Sequence, residues 1–199
     1  MKILLATGND GKRKEMVEAF RAHGLGEGVE FLSLKDLEQT EDPEETGQTF
    51  EENALLKAKF FAERTGLPSI GEDSGLILDA YPEKFGLRTR REISETEDNA
   101  WLSAFLHILD GEQNRKATFY SAMAYFDPTT EKAFTCLGSC GGRITTEVEA
   151  ELEPGIPVSA VFIPEGHDRV YSSMTKEAKN AVSHRGWSAH AMAEFIKTL

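Results

Sequence analysis

Aliphatic runs alternate with amphipathic stretches over the first quarter of the chain. A first run leads through a glycine-containing turn into a stretch where Met16, Ala19 and Phe20 recur at helical spacing. A later stretch alternates apolar and polar side chains, as half-buried strands do. An acidic stretch without periodicity follows. We therefore predict strands over residues 2–7 and 29–34, a helix over residues 12–23, and an exposed loop over residues 35–46.

The next segment has the clearest helix pattern in the chain. Thr49 and Glu52 have the spacing of a capping box, and Gly66 followed by Pro68 ends the pattern. One face between these limits carries only apolar side chains, namely Phe50, Ala54, Ala58, Phe61 and Ala62. We expect this helix to pack that face against the core.

Further along, hydrophobic runs predict strands joined by a hairpin at Asp127-Pro128-Thr129-Thr130. Two short strands are expected on either side of the acidic pair Glu72 and Asp73. The predicted elements are strands over residues 69–71, 76–78, 117–126, 133–139 and 158–163, a helix over residues 97–110, and two helices within residues 176–199 that separate near Ser183. This order predicts an α/β fold with a mixed sheet, formed as one domain over residues 1–199.

Composition narrows the classes of protein and of partner. A chain of 199 residues with 40% hydrophobic content can bury a core without disulfides, so Cys136 and Cys140 are interpreted as packing residues. No apolar run is long enough to cross a bilayer, and the first residues form a predicted strand rather than a signal peptide, so we expect no membrane partner and a cytoplasmic location. The net charge of −12 disfavours nucleic acid. A small phosphate-bearing ligand needs only a local cluster of cations or a metal.

The turn from Thr7 to Lys12 is the first candidate site. Gly8 and Asn9 precede a predicted helix, whose backbone amides and dipole, together with Lys12, suit a phosphate group. The spacing from Gly8 to Lys12 is too short for a Walker loop. An ordinary strand-to-helix turn is the alternative interpretation.

Three carboxylates form the second candidate site. Magnesium takes oxygen ligands, usually one or two carboxylates together with waters and substrate phosphates, and a further carboxylate can deprotonate water. Glu45, Glu72 and Asp73 suit these roles. Alternatively, Glu45 is a solvated loop residue and the acidic pair forms a turn before Gly75.

The third candidate site lies near the carboxyl terminus. His184 and Arg185 stand at a predicted helix junction, where both can donate hydrogen bonds to a purine carbonyl or a phosphate, and Lys179 precedes them. A helix-capping histidine beside a surface ion pair is the alternative interpretation.

Five motifs occur in order over nearly the whole chain: Ala6-Thr7-Gly8-Asn9 with Lys12 and Glu15, Glu45-Thr46-Gly47 with Thr49-Phe50 and Glu52-Asn53-Ala54, Asp73-Ser74-Gly75-Leu76, Gly138 with Gly142-Arg143-Ile144, and the run from Lys179 to Gly186. In this combination they resemble the inosine triphosphate pyrophosphatase family, also called the non-canonical purine nucleoside triphosphatases or the Ham1-like family. The resemblance implies a long central mixed sheet with flanking helices, and two lobes around a nucleotide-binding cleft. It also implies a homodimer.

The activity that the resemblance implies is magnesium-dependent hydrolysis of ITP, dITP and XTP to the monophosphate and pyrophosphate, with manganese as an alternative metal. The resemblance also implies a role for each candidate residue. The triphosphate would be held by Thr7, Gly8, Asn9 and Lys12, and the substrate would also be contacted by Arg91. The metal would be bound by Glu45, Glu72 and Asp73, and Asp73 would also activate water. A turn near the substrate would be shaped by Ser74 and Gly75, and the nucleobase would be reached by Lys179, His184 and Arg185.

Two segments depart from the family pattern. Residues 155–159 read Gly-Ile-Pro-Val-Ser where the family has Phe-Gly-Tyr-Asp or Phe-Gly-Trp-Asp, so a stacking aromatic and a base-reading aspartate are missing. Residues 85–91 read Phe-Gly-Leu-Arg-Thr-Arg-Arg in place of Pro-Gly-x-x-Ser-Ala-Arg, which makes Arg88 or Arg90 a candidate phosphate contact. Trp187 is a candidate replacement for the aromatic. We therefore expect retained catalysis with altered base selectivity.

Two other functions remain open at this point. Loss of the base-reading loop is compatible with a nucleotide-binding or sensing protein that hydrolyses weakly. A pyrophosphatase with shifted specificity, acting on pyrimidine or modified-base triphosphates as the related Maf-like enzymes do, is the other.

Overall fold

One mixed sheet of six strands runs through the protein. The computed structural model describes residues 1–26, 28–39 and 41–199. The strands are β1 (Lys2–Ala6), β2 (Glu30–Ser33), β3 (Ser69–Leu78), β4 (Lys116–Phe126), β5 (Ala133–Ile144) and β6 (Phe162–Pro164), in the spatial order β2-β1-β3-β4-β5-β6. β1 is parallel to β2 and β3, and the other neighbours pair antiparallel. The predicted α/β class with a mixed sheet is confirmed.

Five α-helices flank the sheet, and their ends follow from local capping. They are α1 (Asp10–Ala22), α2 (Phe50–Thr65), α3 (Asp98–Ile108), α4 (Lys176–Val182) and α5 (His184–Ile196). The Asn9 side chain caps α1 by accepting a hydrogen bond from the Lys12 amide at 3.0 Å. Thr49 caps α2 in the same way, and Gly66 ends that helix with a φ of 69°.

Two hydrophobic clusters lie at opposite ends of the long strands. The first surrounds α1 and α5 and includes Ile70 of β3, and the second surrounds α3 and includes Leu76 and Leu78 of the same strand. α2 packs its alanine face on β4 in a third cluster. The middle of β3, which carries Glu72 and Asp73, therefore lies between the two end clusters.

The acidic pair does not lie in a turn between two short strands, as predicted, but inside β3. β3 pairs with β4 along its full length, from Ser69 opposite Phe126 to Leu78 opposite Ala117. The predicted turn at Ser74 and Gly75 is therefore wrong. A side chain at Gly75 would collide with the Gly86 carbonyl, so this glycine instead permits close packing of a 3₁₀ helix, Gly86–Arg88, on β3.

Two other predicted elements also differ from the structure. Most of the predicted strand over residues 158–163 is wrong, because Pro157–Ala160 forms a 3₁₀ helix and β6 begins at Phe162. Pro157 cannot donate to a strand ladder but suits the first turn of a helix. The predicted loop over residues 35–46 contains a 3₁₀ helix at Lys35–Leu37, and its residue 40 lies outside the described residues. In the described part of the chain, no helix is long and apolar enough to cross a membrane.

Candidate active site

Two adjoining cavities open beside the middle of β3. The charged cavity, of about 380 Å³, is lined by residues of the β1–α1 turn, Glu45, Lys57, Asp73 and the segment from Leu87 to Arg91. The apolar cavity, of about 120 Å³, is lined chiefly by Trp101, Phe119, His184 and residues 155–159. They share the lining residues Asn9, Lys12, Ser74, Thr89 and Arg90. The first and third candidate sites of the sequence thus belong to one continuous cleft.

Lys57 is the central cation of the charged cavity. Its Nζ lies 2.5 Å from Glu45 Oε1 and 3.1 Å from Asp73 Oδ1, and it donates to the Glu72 carbonyl at 3.3 Å. Arg91 Nη2 lies 2.5 Å from the other oxygen of Glu45. The structure therefore brings Glu45, Asp73 and Arg91 together through a lysine of α2.

Asn53 connects the same carboxylate to the Glu45 loop. Its Nδ2 donates to Asp73 Oδ2 at 3.3 Å, and its Oδ1 accepts from the Gly47 amide at 2.8 Å. Only 2% of Asn53 is exposed. Both oxygens of Asp73 thus have a donor from α2, which fixes the orientation of the carboxylate.

The two carboxylates around Lys57 differ in proton affinity. Burial raises the pKa of Asp73, and the charges of Lys57 and Lys12 only partly oppose that effect. For Glu45, burial also acts upward, but the hydrogen bond and charge of Lys57 outweigh it and lower the pKa. Asp73 is therefore the better proton acceptor of the pair.

Glu72 holds cations in place beneath the cleft. Its Oε2 accepts from Lys12 Nζ at 3.1 Å, and its Oε1 accepts from Ser121 Oγ at 3.2 Å and from Arg185 Nη2 at 3.0 Å. Its side chain is completely buried. Burial alone would raise its pKa, but Lys12, Arg185 and Lys57 hold the pKa well below the usual range. Glu72 also lines the charged cavity. Both of its oxygens have protein partners, as do those of Glu45 and Asp73, so the metal-ligand role predicted for Glu72 stays a prediction.

A divalent cation fits the two carboxylates that contact Lys57, namely Glu45 and Asp73. Within residues 1–26, 28–39 and 41–199, no three histidine, cysteine, aspartate or glutamate side chains are grouped to hold a metal by themselves. Glu45 and Asp73 nevertheless flank one positive charge, the Lys57 ammonium, from two sides. Two carboxylates beside a phosphate-sized cavity match the incomplete protein shell of magnesium, which relies on substrate phosphates and water for its other ligands.

The His184 ring lines the apolar cavity. The ring is buried and stacks on Phe119, with centroids 4.6 Å apart and planes 9° apart. Burial and the charge of Arg185 hold the pKa of His184 well below its usual value, so the ring is neutral. Among the described residues, its Nδ1 has no hydrogen-bond partner. His184 therefore contributes a neutral ring to the wall of the cavity.

Arg185 is in the site, but Lys179 does not line it. Arg185 lines the apolar cavity and bridges Glu72 and Glu15. Lys179 Nζ lies 2.5 Å from Glu15 Oε1 and 3.1 Å from Glu153 Oε1, and Lys179 lines neither cavity. The predicted contact of Lys179 with the base is thus not part of this arrangement, because both its carboxylate partners lie outside the cavities.

The segment that departs from the family pattern forms a wall of the apolar cavity. Gly155, at a φ of 81°, accepts a hydrogen bond from Asn9 Nδ2 at 2.9 Å and donates one to Asp98 Oδ2 at 2.6 Å. Ile156, Pro157, Val158 and Ser159 follow it along the wall. Trp187 is 54% exposed and does not line this cavity, whereas Trp101 does.

Sequence reasoning missed Lys57 and Asn53 as site residues, whereas it named Arg90, which lines both cavities, as a candidate phosphate contact. Asn53 and Lys57 are four residues apart, which places them on one helical face. Asn53 also interrupts the apolar stripe of α2, an observable sign of a polar contact. No local pattern indicated that this face meets Asp73, because that contact depends on how α2 packs on β3.

Comparisons with known proteins show what this chain is similar to. A sequence model of the Ham1 family matches residues 3–195. The dITP/XTP pyrophosphatase of Lactobacillus acidophilus is 36% identical over 202 residues, covering 100% of this chain and 96% of the relative, and that of Leptospira interrogans is 36% identical over 198 residues, covering 99% and 98%. The structure of a HAM1 protein from Coxiella burnetii superposes with a TM-score of 0.81 at 28% identity, covering all of both chains.

Proposed function

The chain belongs to the Ham1 family, and from this premise we propose that it hydrolyses non-canonical purine nucleoside triphosphates, namely ITP, dITP and XTP, to the monophosphate and pyrophosphate. The observation that carries this proposal is the charged cavity. A protein with a net charge of −12 gathers cationic side chains around one cleft, among them Lys12, Lys57, Arg88 and Arg91. Such a cluster in an acidic protein favours a small polyanion over a polymer.

The triphosphate is held by the β1–α1 turn and the neighbouring cations. Thr7, Gly8, Asn9 and Lys12 line the charged cavity at the amino end of α1, where helix amides and dipole favour an anion. Arg91 approaches from the other side through its pairing with Glu45. Ser74 and Gly75 contribute the edge of β3 where the two cavities meet.

Asp73 acts as the base that accepts a proton from the attacking water. Its raised pKa and fixed orientation suit this task, while Lys57 keeps it close to Glu45. Magnesium, or manganese in its place, would be held by Glu45 and Asp73 and would supply neutralisation of the phosphate charge. The nucleobase of the substrate enters the apolar cavity beside His184 and Arg185.

A shift in base selectivity is the second candidate function, and the wall of the apolar cavity favours it. Residues 155–159 form this wall where the family pattern has a stacking aromatic residue and a base-reading aspartate. Pockets that lose hydrogen-bonding groups discriminate less strongly between bases. Pyrimidine or modified-base triphosphates then become competing substrates.

Pyrophosphate release from a panel of ITP, dITP, XTP, dUTP and the standard nucleoside triphosphates, with magnesium and with Asp73→Asn as control, tests both candidates. Fastest release from ITP or XTP supports the purine activity, and fastest release from another nucleotide supports the shifted selectivity. Tight nucleotide binding without release from any substrate would instead favour a sensing protein.

We also propose a single domain over residues 1–199 that forms a homodimer in the cytoplasm. One continuous sheet supports the single domain, which predicts one cooperative unfolding transition. Two exposed apolar side chains, Leu137 at 46% and Trp187 at 54%, support an interface between two copies of the chain. Sedimentation equilibrium tests the dimer, and a mass equal to one chain contradicts it. The location rests on the nucleotide pool that the enzyme would act on.

A further inference from the structure

Arg90 connects the two segments that depart from the family pattern. It belongs to the basic segment 85–91, where the pattern has alanine, and it lines both cavities. Its Nη2 donates to Asp98 Oδ1 at 2.8 Å. The other oxygen of Asp98 accepts from the Gly155 amide at 2.6 Å. One carboxylate therefore fixes both Arg90 and the start of the altered wall.

The guanidinium of Arg90 is held over an aromatic ring. Its central carbon lies 5.2 Å from the centroid of the Trp101 ring, and its Nη2 also donates to the Thr96 carbonyl at 2.7 Å. Trp101 is almost completely buried and stacks on Phe105, so this support is rigid. In the described part of the chain, Nη1 and Nε of Arg90 make no hydrogen bond. The Arg90 side chain remains 45% exposed.

We propose that Arg90 is a base-contacting residue of this chain, and that its supported guanidinium plane replaces the aromatic platform missing from residues 155–159. The proposal rests on the proposed function and names a specificity determinant of the same site. Guanidinium planes stack on nucleobases as aromatic rings do. Asp98 is a positioning residue, because it acts through Arg90 and Gly155.

A simple phosphate contact is the competing role for Arg90, and the chemistry of two variants separates the roles. Arg90→Met keeps an unbranched, flexible side chain but removes both the guanidinium plane and the charge. Arg90→Lys keeps the charge and removes the plane. Arg88→Met is the matched control, since Arg88 lines only the charged cavity.

The test is calorimetric binding of two probes, inosine monophosphate and inorganic tripolyphosphate, to the full chain and each variant. We expect Arg90→Met to weaken binding of inosine monophosphate about tenfold, as loss of a stacking platform does. Tripolyphosphate binding should stay unchanged, which also shows that the cleft is folded. Arg90→Lys should not restore monophosphate binding, and Arg88→Met should weaken tripolyphosphate.

Two results would overturn the proposal. Equal weakening of both probes by Arg90→Met, with rescue by lysine, would make Arg90 a phosphate contact. Unchanged binding of both probes would remove Arg90 from the site. Asp98→Asn should weaken monophosphate binding less than Arg90→Met and add nothing to it in the double variant, whereas additive losses would contradict the positioning role. Turnover of ITP is measured separately on the same wild-type preparation. Absence of turnover would contradict the proposed function, whatever the binding of the two probes shows.

Discussion

The charged and apolar cavities adjoin, yet their polar groups are organised differently. In the charged cavity the acids and the central lysine are already paired, as Glu45, Lys57 and Asp73 show. In the apolar cavity, His184 presents a buried nitrogen without a partner among the described residues. The charged cavity is therefore preorganised to bind a charged ligand, whereas the apolar cavity contains a polar group that no described residue satisfies.

The same two regions differ in their agreement with the family pattern. The turn from Thr7 to Lys12, Glu45 and Asp73 of the charged cavity match it, whereas residues 87–91 beside both cavities and residues 155–159 of the apolar cavity depart from it. The comparison predicts that rate and base selectivity depend on separate groups in this protein. Substitutions in the charged cavity should therefore affect all nucleotides alike, and those in the apolar cavity should change their ranking.

The largest expected effect comes from replacing Asp73, the proposed catalytic base. Asp73→Asn should lower kcat about a thousandfold for every nucleotide, because the amide cannot accept the proton of the attacking water. Pyrophosphate release measures the loss, and an unchanged melting temperature shows that the fold is intact. Retention of more than about a tenth of wild-type activity would remove Asp73 from this role.

Removal of the central lysine should have the next largest effect. Lys57→Met leaves Glu45 and Asp73 to repel each other across the cavity, so we expect kcat/KM to fall about a hundredfold by the same factor for ITP, XTP and ATP. Lys59→Met is the matched control on the same helix, since Lys59 is exposed and lies over Phe126. A loss of kcat/KM that differs between these nucleobases would contradict the separation of roles between the two cavities.

Restoring an aromatic side chain to the wall of the apolar cavity should strengthen binding of the nucleobase. Ile156→Phe should lower KM for ITP about tenfold, because stacking strengthens binding of the base, and should leave kcat nearly unchanged. Steady-state kinetics measure both constants. Equal inhibition of variant and wild type by tripolyphosphate is the control, and a fall in kcat for all nucleotides would contradict the prediction.

The smallest expected effect concerns stability. The pKa of His184 is lowered well below 6.5 in the folded protein, so the unfolded chain binds more protons and stability falls as the pH drops through the unfolded value. Between pH 7.5 and 5.5 this loss is on the order of 1 kcal/mol. Urea unfolding at both pH values should show a loss smaller by that amount in His184→Gln. Equal losses in both proteins would mean that the folded ring titrates normally.

Local chemistry was sufficient to predict much of the fold. Asn9 and Thr49 cap their helices as their sequence positions indicate, and Gly66 ends α2. The continuity of β3 through Glu72 was not predictable, because acidic residues disfavour strands and only pairing with β4 overrides that preference. Pro157 similarly changed an apolar run from strand to 3₁₀ helix.

The candidate site was predictable in part. His184, Arg185 and the β1–α1 turn line the cleft that the motifs indicated. Lys57 was missed because its contact with Asp73 joins two elements that are distant in sequence. The partners of Lys179 and Glu72 are likewise set by packing, and no spacing in the sequence reveals them.

Product analysis of ITP turnover by phosphorus NMR, with magnesium and the wild-type chain, tests the central claim most directly. The arrangement of Asp73, Lys57 and the cationic cleft predicts inosine monophosphate and pyrophosphate in equal amounts, with no diphosphate intermediate. Formation of inosine diphosphate and orthophosphate, or no turnover at all, would contradict the pyrophosphatase assignment.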